Sequence, residues 1–239
     1  MASLKKKSTK AEKNTKFVFG EGSKQAVEVI VRESSLESQY LHVWPGGILM
    51  SEYLFNNPDI VSNKVILELG AGVGLPGLLA AKLGAKQVIL TDATQYDSIL
   101  QNINTCIELN SLTNAKSLGL TWGRFSKETI QLRANVILGA DVFYDERDFE
   151  NILANVQYYF DRGCDCFYTA IHNRGTSRPL GVLLLKWKMN VEEIDISHLI
   201  MNSNYLSLTD AEKLRLVKIT SHKSTAISHH RIKSMLGLE

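Results

Sequence analysis

Val65-Ile66-Leu67-Glu68-Leu69-Gly70-Ala71-Gly72-Val73-Gly74-Leu75-Pro76-Gly77 is the stretch on which the fold turns. Its first five residues, apolar and partly β-branched apart from Glu68, read as a buried strand. Glycines then break the strand, and an apolar helix restarts at Pro76. Glycine at a strand-to-helix turn lets the backbone approach a ligand closely, and the first N–H groups of the helix have no partner within it. The arrangement predicts a site for an adenosine-containing cofactor.

The same alternation continues downstream. Residues 87–91 read as a second strand ending at Asp92, and 98–109 as a helix with Ile99, Leu100, Ile103 and Ile107 at helical spacing. Residues 117–120 form a third strand leading into Thr121-Trp122-Gly123, and 135–140 a fourth ending at Asp141. A helix over 147–160, with Asp145 as its candidate N-cap, precedes a fifth strand over 166–171. A helix over 180–189 and strands over 191–196 and 213–219 complete the pattern. Upstream, 17–19 and 26–32 alternate as a hairpin, and a helix follows Trp44-Pro45-Gly46-Gly47 to end near Asn56-Asn57-Pro58. Strands separated by helices imply right-handed crossovers and a parallel sheet covered on both faces. The last strand has no long helix before it and is expected to enter as an antiparallel hairpin. The class is α/β, and with no Gly/Pro/Ser-rich linker, residues 17–239 read as one domain.

Charge is distributed unevenly. Six lysines against Glu12 give residues 1–16 a net +5, which leaves −3 for the remainder of a chain whose total is +2. This Lys/Ser/Thr-rich stretch lacks apolar periodicity and reads as a disordered basic tail. The mildly acidic remainder argues against nucleic acid held across a basic face. Three cysteines, Cys106, Cys164 and Cys166, form neither a disulfide framework nor a zinc knuckle, so no metal is expected and a reducing cytoplasmic or nuclear compartment fits. No apolar run reaches the roughly 18 residues of a membrane span, so no membrane partner is expected.

In a sheet of this kind the ligand lies beyond the C-terminal ends of the strands. Glu68, Gly70, Ala71, Gly72, Asp92, Trp122 and Ala140 are expected there. Asp92 is placed to accept hydrogen bonds from two ribose hydroxyls, since a carboxylate only accepts. The face of Trp122 is placed to stack on adenine. Gly72-Val73-Gly74-Leu75-Pro76-Gly77 also satisfies the G-x-G-x-x-G fingerprint of dinucleotide sites, with Asp92 twenty residues after Gly72. That register leaves Gly70-Ala71 unexplained and sets Glu68 beside a pyrophosphate. A cationic sulfonium cofactor has no such conflict, so S-adenosylmethionine is preferred to NAD.

The succession of Trp44-Pro45, Glu68 to Gly74, Asp92, Leu120-Thr121-Trp122-Gly123 and Ala140-Asp141-Val142-Phe143-Tyr144 resembles the seven-β-strand methyltransferases of the lysine-methyltransferase-like group. That resemblance runs from about residue 27 to 189. It implies a Rossmann-like sheet of order 3-2-1-4-5-7-6 with strand seven antiparallel. It carries cofactor contacts onto Trp44, Gly70, Ala71, Gly72, Asp92, Trp122 and Ala140, and places Asp141 and Tyr144 at the mouth where the methyl is transferred. It implies a protein substrate methylated on a side-chain nitrogen, with arginine, on a histone, as the leading reading and lysine as the alternative. Gly46-Gly47 stands where members of the group often carry a side chain.

Methyl transfer from a sulfonium needs a positioned, unprotonated nucleophile more than acid–base machinery. Asp141 is expected to orient the substrate nitrogen, Tyr144 to wall the channel, and Asp145 and Glu146 to attract a cation. Two further readings remain at this stage, an NAD-dependent oxidoreductase and a cofactor-binding module that acts by contact alone. His172 reads as a loop residue, Trp187 as core, and Asn102 and Asn104 as solvent-facing.

Overall fold

The computed structural model describes residues 12–34, 41–172 and 180–222. A two-stranded antiparallel hairpin, β1 (Glu12–Phe19) and β2 (Val27–Ser34), precedes helix α1 (Pro45–Asn56). The alternation then runs β3 (Val65–Leu69), α2 (Leu75–Lys82), β4 (Gln87–Asp92), α3 (Asp97–Leu109) and β5 (Ala115–Gly119). It continues through β6 (Val136–Ala140), α4 (Phe149–Phe160), β7 (Cys166–His172), α5 (Leu180–Lys186) and β8 (Met189–Ile194). Two short helices, α6 (Ser197–Asn202) and α7 (Leu208–Ala211), lead into β9 (Leu214–Ser221).

Strands β3 to β9 form one seven-stranded sheet in the order β5-β4-β3-β6-β7-β9-β8. Counted from β3 as strand one, this is 3-2-1-4-5-7-6. The first five strands are mutually parallel, and β9 runs antiparallel to both β7 and β8. The two-residue period of each strand sorts its side chains between two cores. Ile66, Val88, Leu90, Leu138 and Tyr168 pack under α1, α2 and α3, while Leu67, Leu69, Ile89, Ile137 and Phe167 pack against α4 and α5. Between β3 and β6 the strand order reverses, and the cleft opens at that switch point.

Several expectations are corrected. β1 begins at Glu12, inside the stretch read as tail, because Glu12 to Lys16 pair along β2; residues 1–11 lie outside the described residues. Helix α4 starts at Phe149, two residues later than expected. Asp145 instead caps a local turn, its Oδ1 accepting the Arg147 N–H at 3.0 Å. Tyr144 stands in a turn before α4. Asn102 is buried, not solvent-facing. Its amide donates to the Arg32 carbonyl at 2.9 Å and its Oδ1 accepts from Arg32 Nε at 2.8 Å, fastening α3 to the hairpin. His172 is the last residue of β7, and Trp187 is partly buried just past α5.

Candidate active site

The turn after β3 is built from left-handed backbone, with φ of 60° at Gly70, 55° at Gly72 and 78° at Gly74, conformations that exclude most side chains. Gly70 is also sterically required. A Cβ there would stand 2.8 Å from the Trp122 ring and 3.0 Å from Val142, so the indole lies directly against the turn. Asp92 holds the loop from the neighbouring strand. Its Oδ2 accepts the Gly72 N–H at 2.9 Å and its Oδ1 the Ala93 N–H at 2.8 Å. Burial pushes the Asp92 carboxyl above its usual range, and these two N–H donors oppose the shift. Each oxygen retains accepting capacity for a ribose hydroxyl.

The opposite wall comes from the start of α1 and the end of β6. Trp44 is the N-cap residue of α1 but supplies no side-chain cap. The cap comes from 95 residues away, where Asp141 Oδ2 accepts the Gly46 N–H at 2.9 Å. A carboxylate at a helix N-terminus is favourable both as acceptor and through the helix dipole. The approach needs glycine at 46, because a Cβ there would lie 2.5 Å from Asp141 Oδ2. Asp141 itself has φ of 55°, strained for a residue with a side chain, and is held by its own N–H donating to Ala170 O at 2.9 Å. Asp141 thus caps α1, an element 95 residues before it in the chain.

Tyr144 is 40% exposed at the rim, its ring tilted 60° to that of Trp122 with centroids 6.1 Å apart. Asp145 is ion-paired with Arg147, whose side chain holds its carboxyl down at about 2. The rim accordingly carries a cation beside its carboxylates, and Asp145 is less available to an incoming cation than its charge suggests. A cavity of about 350 Å³ gathers Trp44, Gly70, Ala71, Gly72, Asp92, Trp122, Ala140, Asp141 and Tyr144.

Glu68 is the exception among the expected site residues. It is 1% exposed and points beneath the loop, where its Oε2 accepts the Gly77 N–H at 3.1 Å. Desolvation raises its carboxyl to about 8, with the Gly77 N–H opposing and the charge of Asp92 adding to the rise. It braces the first turn of α2, beneath the glycine turn, and does not line the cavity. His42, Tyr96, Thr121 and Arg147 line it without having been expected. His42 was legible in principle, standing two residues before Trp44, where its Nδ1 lies 2.8 Å from Glu33 Oε1. Among the described residues no cluster of three His, Cys, Asp or Glu side chains could hold a metal ion.

This sheet order, with its glycine turn, a carboxylate closing the second strand and Asp-x-x-Tyr after the fourth, defines a seven-strand S-adenosylmethionine-dependent methyltransferase. The donor set suits that cofactor, with backbone bare enough for close approach, a ribose acceptor in Asp92 and an aromatic face in Trp122. A family profile described as lysine methyltransferase matches residues 23–179, and the chain belongs to that family. It is 34% identical to the histone-arginine methyltransferase METTL23 of Xenopus laevis, over 77% of this chain and 80% of that protein. It is 31% identical to methyltransferase-like protein 23 of Dictyostelium discoideum, over 81% and 82% respectively. A protein N-terminal and lysine N-methyltransferase, efm7 of Schizosaccharomyces pombe, is 35% identical over 49% of this chain and 46% of its own. Among solved structures, the Thermus thermophilus 16S rRNA N2 G1207 methyltransferase RsmC, in complex with AdoMet and guanosine, superposes with a TM-score of 0.61. It does so at 16% identity, covering 88% of this chain and half of that one, a likeness of fold. The chain is thus a protein methyltransferase.

Proposed function

We propose that this enzyme methylates arginine in a protein, a histone being the substrate that the naming of its relatives favours. The observation that carries the reading is the placement of Asp141, a carboxylate on the cavity wall fixed in a strained backbone and buttressed by Gly46. Bound S-adenosylmethionine supplies a methyl group on a positively charged sulfur. Everything else falls to the chain. Gly70, Ala71, Gly72, Asp92, Trp122, Ala140 and Trp44 hold the cofactor's adenosine and methionine portions. Asp141 would accept a hydrogen bond from the substrate nitrogen and orient it toward the transfer site; as the N–CH3 bond forms and the S–CH3 bond breaks, the proton released from that nitrogen would leave along this hydrogen bond to solvent. Tyr144 and Trp44 wall the approach and exclude water.

Arginine suits a carboxylate because a guanidinium presents paired donors to it. Lysine is the second reading, favoured by the lysine and N-terminal methyltransferase named among the relatives. Transfer of labelled methyl from S-adenosylmethionine to core histones, followed by mass spectrometry of the labelled residue, tests both. Methylarginine is the expected product. Methyllysine replaces the first reading with the second, and no transfer to any protein removes both.

A further inference from the structure

A second groove lies on the same edge of the sheet as the active-site cleft. β7 ends at His172, β8 ends at Ile194, and β9 starts at Leu214, which pairs with His172. The connection between β8 and β9 folds over this edge as α6 and α7 and encloses about 600 Å³. Ile200 and Leu214 are buried in its floor, whereas Met201 and Leu208 stand at its rim, 72% and 74% exposed. These are the two most exposed large apolar residues among those described, and both face one depression. Glu193 is ion-paired with Arg215 at 3.3 Å, which leaves Asp195 as the groove's net charge.

We infer that this groove receives the stretch of the protein substrate flanking the methylated residue, and that it selects a bulky apolar side chain accompanied by a basic one. The inference rests on the reading of the cleft as a protein-methylating site. Three strand spacings separate β6, which carries Asp141, from β8, or about 15 Å at the usual interstrand distance. An extended peptide covers that span in about four to five residues. A substrate whose target side chain enters the cleft can therefore run along the strand ends and set its fourth or fifth neighbour over Met201 and Leu208. Asp195, and the −3 carried by the chain beyond its basic N-terminal stretch, complement a cationic segment. A contiguous exposed apolar rim around a pocket is the ordinary mark of a binding surface.

The test compares wild type with the double variant Met201→Glu, Leu208→Glu, and separately with Asp195→Lys, using labelled S-adenosylmethionine. The two acceptors are core histones and a peptide of about seven residues centred on the labelled site, too short to reach the groove. Both variants are expected to raise KM for the whole protein about tenfold with kcat within about twofold, and to leave the peptide unchanged. Equal effects on the two acceptors, or none on either, overturn the proposal. If wild type labels lysine, the arginine reading falls while the same comparison proceeds on that residue. If wild type labels nothing, the proposal falls with the reading. Sedimentation at assay concentration supplies the remaining outcome: a wild-type dimer that the rim substitutions dissociate assigns the groove to a second copy of the chain and overturns the substrate role.

Discussion

Gly46 and Asp141 form a tightly constrained pair. Alanine at a helix position ordinarily gains about 0.5–1 kcal/mol over glycine. At position 46 its Cβ would displace the carboxylate that caps the helix. Gly46→Ala is therefore expected to lower methyl transfer about tenfold or more while S-adenosylhomocysteine still binds, as read by kinetics beside calorimetry. Asp141 has two tasks that separate by substitution. Asp141→Ala removes both cap and charge and should lose ~1–2 kcal/mol, or a few degrees in Tm, along with transfer. Asp141→Asn keeps an acceptor for the Gly46 N–H, so Tm should hold while transfer still falls about a hundredfold. Retained transfer in the asparagine variant would deny the carboxylate its orienting role. At Glu68 the prediction concerns pH. Its folded pKa of about 8 lies above the ordinary 4.5, so its contribution to stability is complete below about 4.5 and is lost as pH rises through about 8. Glu68→Gln, neutral throughout, should match wild type near pH 5 and melt higher by ~3 °C or more above pH 8. A Tm difference that does not change with pH would contradict this. The position of Glu68 was legible after all. Two residues before Gly70 in a period-two strand, it shares the face of Ile66 and points under α2, not at the strand's tip.

At the scale of elements, the parallel strands were the easiest to read, because burial on both faces makes them continuous apolar runs. Harder to read were the parts whose polarity serves other backbone. Asn102 on α3 and Asn110 at its C-cap stand among polar neighbours, but they face the edge of β2 instead of water. Asn110 Oδ1 accepts the Ile30 N–H at 2.9 Å, and its Nδ2 donates to the Ile30 carbonyl at 2.6 Å. A side chain that satisfies an edge strand looks in sequence like one that faces solvent. Asn110→Ala leaves those part-buried backbone groups without these partners and should destabilise the fold by ~1–2 kcal/mol, measured by urea unfolding. The same substitution should speed hydrogen exchange in β2 ahead of β3. Helices α6 and α7, of six and four residues, carry too few turns for a periodic signal, which is why the β8–β9 connection went unread.

For the whole molecule, the parallel sheet and a cleft at its strand ends were foreseeable from alternation, whereas the strand order came from the resemblance to the seven-strand methyltransferases. Asp92 and Asp141 line one cavity, and the proposed division of that cavity into a cofactor side and a substrate side rests on these two residues. What escaped was the closing of the cleft by distant segments: a cap on α1 from β6, a brace on the first turn of α2 from β3, and a histidine presented by the strand connection before α1. If the cavity is the cofactor site, S-adenosylhomocysteine at about a hundred times its Kd should stabilise the fold by ~2.7 kcal/mol, while NAD should not. Asp92→Ala should remove most of that thermal shift, and an undiminished shift would take the ribose role from Asp92. The placement of β9 has a consequence for how the protein is made. It is synthesised after β8 yet lies between β7 and β8, so each of them lacks its neighbour until it appears. The ribosome takes roughly 2–8 s to cover the 42 residues from His172 to Leu214. For that interval the side of β7 that will pair with β9 keeps its backbone N–H and C=O groups unpaired, an open strand edge of the kind that pairs with other chains.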